Sequence, residues 1–283
     1  MSQMLEKQKS RRFSPGFYLA CLWLLVIVVS AAAAPYIHLQ KPDAQSSAIL
    51  ALPSSAHWFG TDNLGRDLFS RVIYGGRVSL LVGFLSIAIG LIIGGLMGMI
   101  AGFSQGLIDV IFNQFSNFVI AFPAIILLLA VITVEGQHLS WIVGVIAFLS
   151  IPVFFRISRA STLSVKQRDF ILSAKVLGAQ RRKILFSHIL PNILPPVLSI
   201  AFIGVSAAII AEGVLAYLGL SVKLPIASWG NLISQGAQLE SYQLSADPWV
   251  VIWPSLAIIL TTLSLNYIGV SLQRLFDRRT QRL

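Results

Sequence analysis

The sequence predicts an all-α integral membrane protein with six transmembrane helices. Three observations predict it. Of 283 residues, 56% are hydrophobic and only 11% are charged, against about 25% charged in soluble domains. The apolar residues fall in six long blocks free of Asp, Glu, Lys and Arg, at 13–40, 78–108, 110–134, 136–155, 184–211 and 248–273. The basic residues are concentrated in three regions that alternating helices would bring to one side of a membrane.

Each block can cross a hydrocarbon core of about 30 Å at about 1.5 Å per residue. Buried helices of soluble proteins seldom hold more than about 14 apolar residues in a row. Lipid offers no hydrogen-bond partners, so a spanning segment must satisfy its own backbone and becomes a helix. Four Lys and Arg lie in the N-terminal tail, eight from Arg156 to Lys183 and four after Gln273. The other side would hold only Lys41, Arg66, Arg71, Arg77 and Lys223. Positive residues stay inside, so both termini and the middle basic segment are expected in the cytoplasm. Such a distribution leaves the +10 net charge without a nucleic-acid partner to explain and makes membrane lipid the surroundings.

The chain then divides as follows. Residues 1–16 form a cytoplasmic tail. Residues 17–37 form the first span, too long for a secretory signal core despite the flanking "KQKSRR" and "SAAAAP". Residues 38–77 form an external loop rich in Pro, Ser and Asp. Residues 78–272 form a five-helix core with a cytoplasmic loop at 156–190, and 273–283 a second cytoplasmic tail. Within the core, helices are expected at 78–102, 110–134, 139–155, 194–218 and 249–272. Gly90, Gly94, Gly98 and Gly102 recur every fourth residue, which lines one helix face for close approach of another backbone. Pro123 and Pro152 fall within spans, and Pro191, Pro195 and Pro196 precede the fifth. No internal repeat has a convincing period.

Catalytic constellations are missing from the sequence. It has no phosphate-cradling G-x-x-x-x-G-K-[ST] stretch, no G-x-S-x-G and no H-E-x-x-H. His38, His57, His138 and His188 are scattered near span ends and suggest no metal site. Cys21 is the single cysteine. The expectation is a chain that is not an enzyme and holds no cofactor or metal. One carboxylate, Glu212, lies deep in a span. It lines a transport path or gate, or it ties its helix to a partner or sits near the outer interface; residue type leaves these open. In the external loop, Asp62 and Asp67 can pair with Arg66 and Arg71 around Gly65 in a compact turn. Alternatively, the two arginines meet another protein.

The basic segment is the informative one. In "RDFILSAKVLGAQRRKILFSHILPN", Phe170, Ala174 and Leu177 share one helical face with Ile171 at its edge. Gly178 ends that helix, Arg181, Arg182 and Lys183 follow, and Pro191 marks the next boundary. An apolar stripe on a charged loop marks a partner site or an amphipathic helix on anionic lipid.

The order of residues here resembles the signature "EAA" loop of ABC-importer permeases. "SAKVLG" places Ala174 and Gly178 in the family pattern, and "HILPN" matches the end of its peptide-permease version. Leu172 stands where the family has its glutamate, which removes a carboxylate and leaves the apolar face. "FGTDNLGRDLFSRVIYGGRVSL" (59–80), "AEGVLAYLGL" (211–220), "SWGNLI" (228–233) and "PSLAIILTTLSLNYIGVSLQRLFDRR" (254–279) are similar to segments of the second, C-type permease subunit of dipeptide, oligopeptide and nickel importers. The resemblance implies the type I importer permease fold in a bacterial cytoplasmic membrane. It implies a second permease subunit as heterodimer partner, two ABC ATPase subunits that bind ATP and Mg, and an extracytoplasmic solute-binding protein. It further implies that residues 169–192 couple this chain to the ATPases through Phe170, Ala174, Leu177, Gly178, Arg181 and Arg182. Di- or oligopeptides are the implied substrates, with nickel or another small solute as the alternative. An ion-coupled carrier, the rival class, needs membrane-buried relays, and Glu212 alone qualifies.

Overall fold

A computed structural model describes residues 14–37, 39–239 and 247–280; the tail up to residue 13, His38, residues 240–246 and residues 281–283 lie outside it. The chain folds into nine helices among the described residues. They are α1 (Pro15–Ala33), α2 (Leu68–Ser104), α3 (Gly106–Ala121), α4 (Ala124–Glu135), α5 (Leu139–Lys166), α6 (Asp169–Val176), α7 (Arg181–Tyr217), α8 (Trp229–Ala237) and α9 (Trp249–Thr280). Five of them are long and apolar enough to cross a membrane, and α3 with α4 makes a sixth span if taken as one broken helix. The end of the molecule carrying α6 is called the basic end below.

Helix α1 begins at Pro15, where the missing N–H costs nothing. It buries one stripe, Ala20, Leu24, Ile27 and Ala31, against the rest. Its other faces are apolar too: Leu19 is 69% exposed and Leu22 57%. Water would not tolerate that surface; lipid does. The first span ends at Ala33 rather than residue 37, just short of Pro35.

Helix α2 starts ten residues before the expected Val78, so part of the anticipated external loop is helical. The reason is local. Asp67 caps the helix by accepting from the Ser70 amide at 2.8 Å, and the arginines that suggested a loop are buried in ion pairs described below. The glycine stripe of α2 lies against α5. A Cβ on Gly94 would sit 2.3 Å from the Ile151 carbonyl oxygen, and one on Gly98 2.3 Å from that of Phe155. Interhelical hydrogen bonds reinforce this contact: Ser158 Oγ donates to the Gly95 carbonyl at 2.7 Å and Ser86 Oγ to that of Val143 at 3.1 Å.

The third span is not the single helix expected at 110–134. It breaks between α3 and α4 with a 79° bend. Pro123 caps α4, and Phe122 before it is extended, as a residue preceding proline prefers. Only Ser116, Val119, Leu128 and Ile132 of this bent pair are buried.

Two further boundaries differ from expectation. Helix α5 continues to Lys166, beyond residue 155, because Arg156 and Arg159 find partners along it. The fifth span begins at Arg181 rather than 194 and runs through Pro191, Pro195 and Pro196. A π-helical stretch, Ile184–Ile189, precedes the prolines and accommodates the backbone bonds they cannot make. Near the prolines, Asn192 Nδ2 donates to the His188 carbonyl at 2.6 Å and Ser199 Oγ to that of Pro195 at 3.0 Å. Pro191 thus lies in the first turn of the α-helical part of the span, at its junction with the π-helical stretch, while Pro195 and Pro196 lie inside the helix. The last helix likewise passes residue 272 to reach Thr280, since nothing from Gln273 onward breaks a helix.

Apolar packing forms one large core among the long helices. A smaller one at the basic end is built from Met99, Phe103, Val165, Ile171, Ile184, Ile189 and Ile193.

Candidate functional site

At the basic end α6 is a helix of eight residues with Asp169 in its first turn, where a negative charge suits the helix dipole. Ile171, expected at the edge of the apolar stripe, is instead its anchor. It is fully buried in the small core between the ends of α2, α5 and α7. The opposite surface has no cover among the described residues: Leu177 is 85% exposed and Val176 88%, with Phe170 and Leu172 also exposed. Ala174 is half-buried between the two surfaces, and Arg181 and Arg182 stand exposed beside them. Gly178 has φ +77°, a left-handed conformation that glycine adopts freely and that ends α6. Its amide donates to the Lys175 carbonyl at 3.0 Å, and the Ala179 amide to that of Ala174 at 3.0 Å. The loop thus carries a projecting apolar tip on a buried base.

Other residues fix this loop to the spans, and the sequence reading missed them. Lys166 Nζ donates to the Phe103 carbonyl at 2.7 Å and lies over the Phe103 ring, with Lys175 over it as well. Arg159 on α5 forms a two-pronged pair with Asp109 on α3, and Arg156 Nη2 reaches Asn117 Oδ1 at 3.0 Å. A signal existed: Asp109 is the sole charged residue between Arg77 and Glu135.

At the opposite end, the segment before α2 folds back as a compact ion-paired turn. Arg66 Nε donates to Asp62 Oδ2 at 2.7 Å, and Arg71 Nε lies 3.6 Å from the same oxygen. Asp67 does not pair with either arginine. It caps α2 and meets His57 Nδ1 at 2.9 Å. All four charged residues are buried, Arg71 completely. Gly65 turns the chain at φ +69° with Ser46 packed against its α-carbon. Both arginines also donate to the side-chain oxygen of Gln235 on α8, at 2.8 and 3.3 Å. Asp62, Gly65, Arg66, Asp67 and Arg71 are thereby brought into one cluster.

Glu212 is fully buried near the C-terminal end of α7. Its carboxylate accepts from Ser221 Oγ at 2.6 Å, Ser228 Oγ at 2.8 Å and Ser79 Oγ at 3.1 Å. Next to it, the fully buried Trp229 donates its Nε1 to the Val72 carbonyl at 2.9 Å. Glu212 therefore joins α7 to α2 and to the segment leading into α8.

Comparison with known proteins agrees with this arrangement. Residues 90–282 match the family described as binding-protein-dependent transport system inner membrane component. The dipeptide transport system permease protein DppC of Alkalihalophilus pseudofirmus is 37% identical over 225 residues, 80% of this chain and 73% of that protein. The glutathione transport system permease protein GsiD of Pectobacterium atrosepticum is 38% identical over the same shares. The probable D,D-dipeptide transport system permease protein DdpC of Escherichia coli is 35% identical over 257 residues, 90% of this chain and 84% of that protein. The match covers more than half of the sequence and includes the loop, the buried glutamate and the last span, so the chain belongs to the inner-membrane components of binding-protein-dependent transport systems.

Proposed function

We propose that this chain is the C-type permease subunit of an ATP-driven importer of short peptides, with its basic end in the cytoplasm. The relatives named for dipeptides, D,D-dipeptides and glutathione favour peptides over nickel. The chain would form half of a pathway with a second permease. Two ATPase subunits would bind ATP and Mg, and an extracytoplasmic binding protein would deliver the solute.

One observation carries the coupling role. Val176 and Leu177 project uncovered beside Gly178 from a helix whose other side is anchored by Ile171. Apolar surface held rigidly out of the core is what a groove on another protein recognises. Phe170, Ala174, Leu177 and Gly178 would form the docking face, with Arg181 and Arg182 as its charged flank. Closure of the ATPase pair on ATP would displace α6, and the small core would pass that displacement to α2, α5 and α7 as rigid bodies.

Reconstitution tests the proposal. The chain with its second permease and ATPases in proteoliposomes should take up a dipeptide only with ATP and loaded binding protein. Uptake by the chain alone under an ion gradient would refute it.

A further inference from the structure

Between α1 and α9 runs an open, apolar groove of about 590 Å³. Leu19, Trp23 and Val26 line it from α1, and Leu260, Leu263 and Tyr267 from α9. Among the described residues, no charged side chain lines it. Two hydrogen bonds tie its walls together. Trp23 Nε1 donates to Thr261 Oγ1 at 3.2 Å, and at the basic end Ser14 Oγ meets Tyr267 Oη at 2.6 Å. The groove is one leaflet deep. From Gly16 to Val26 α1 rises about 15 Å, half of a hydrocarbon core of about 30 Å. Helix α1 continues to Ala33 and α9 starts back at Trp249, yet neither extends the groove. A spanning helix of another protein would call for a groove through the full thickness, whereas an acyl chain of one leaflet needs only this length.

Positive charge gathers at the mouth of the groove. Arg274 is exposed and lies seven residues beyond Tyr267, on the same face of α9 and about 10 Å further along it. It makes no ion pair among the described residues. In the sequence, the segment before Ser14 holds four Lys and Arg against one Glu, and the segment after Ser271 four Arg against one Asp. The contact between Ser14 and Tyr267 brings the points where these two segments join the bundle to one corner of it. Phosphate is the group that such a corner attracts, and a phospholipid carries it at the head of its acyl chains.

We infer that this groove binds one anionic phospholipid of the leaflet at the basic end, with an acyl chain along Leu19, Trp23 and Leu263 and the phosphate at Arg274. Bound there, the lipid fills the space between the last span and α1, which buries only a single stripe against the rest of the chain.

The test uses the assembled importer in phosphatidylcholine nanodiscs. A rising fraction of the lipid is replaced by phosphatidylglycerol or phosphatidylcholine with brominated acyl chains, which quench nearby indoles. Trp23 is read as the difference in emission between the wild type and W23F. Brominated phosphatidylglycerol should half-quench Trp23 at a fraction about tenfold lower than brominated phosphatidylcholine does. R274Q should shrink that preference about fivefold, the weight of one cation at an anionic membrane surface. Equal quenching by the two lipids would overturn the site in favour of ordinary lipid contact. No quenching by either would overturn it in favour of a groove covered by another subunit. A preference that R274Q leaves at its full value would overturn the placement of the phosphate.

Discussion

Arg159 grips Asp109 through two parallel hydrogen bonds, Nε to Oδ1 at 2.5 Å and Nη2 to Oδ2 at 2.6 Å. The fork geometry of guanidinium and carboxylate makes such a pair directional as well as strong. It joins the start of the broken third span to the helix that leads into α6. Helices α3 and α4 otherwise bury little against this chain, so the pair is a principal tether of α3 at the basic end.

Breaking that tether should loosen the bent span. R159A leaves a partly buried carboxylate without its partner, and D109A leaves the guanidinium, each costing about 1–3 kcal/mol. The double variant should cost less than the sum of the two, because neither charge is then stranded. Thermal unfolding of the purified chain in detergent measures all three, and strict additivity would show that the two residues act independently.

The two sides of α6 should respond differently to substitution. L177D places a charge on the exposed tip and should abolish substrate-stimulated ATP hydrolysis in the assembled importer while the chain still inserts and stays folded. I171A removes the buried anchor and should lower stability by about 2–5 kcal/mol. If L177D couples normally, the tip is not the docking face. G178D is a third probe: no atom lies within 4 Å of its Cβ, so its effect comes from a strained left-handed backbone and the added charge, again on coupling.

Neighbouring glycines in α2 should separate packing from propensity. G94A drives a Cβ to 2.3 Å from the Ile151 carbonyl oxygen and must push α5 away, costing about 1–3 kcal/mol as overpacking does. G95A meets nothing within 4 Å and should be neutral or stabilising by up to about 1 kcal/mol through helix propensity. The melting temperatures of the two variants should move in opposite directions or differ by several degrees; equal shifts would contradict the close approach of α2 to α5.

Glu212 should behave as a clamp between helices. E212A strands three buried hydroxyls that now donate to it, a loss of about 3 kcal/mol or more at about 1 kcal/mol per group. E212Q keeps one acceptor oxygen and should fall between the wild type and E212A. Unfolding midpoints of the three proteins give the order, and an E212A as stable as the wild type would show that these hydrogen bonds contribute nothing.

Much of the architecture was legible in the residues because lipid imposes simple rules. Long charge-free blocks predict spans, and the fourfold glycine spacing on α2 predicts the close helix contact that α5 makes. Charge was a poorer guide to where helices end. Arg66 just before α2 and Arg71 in its first turn, and Arg156 and Arg159 on α5, read as loop residues until their partners Asp62, Gln235, Asn117 and Asp109 are seen beside them. Proline misled in both directions: Pro123 breaks a span that composition presents as continuous, while Pro195 and Pro196 sit inside one. In the loop at the basic end, the apolar residues and Gly178 were evident, but which of them face inward was not.

Composition and order alone determined that this chain is a bundle of membrane helices with a basic loop bearing apolar residues, and which family its motifs follow. Only the tertiary structure decided that Ile171 points into the core and Leu177 out of it, that Asp67 meets His57 rather than an arginine, and that Glu212 is held by three serines. The physical reason is distance along the chain. Hydropathy and helix breaking are written in neighbouring residues, whereas a pair such as Ser79 and Glu212 meets only after whole helices have packed.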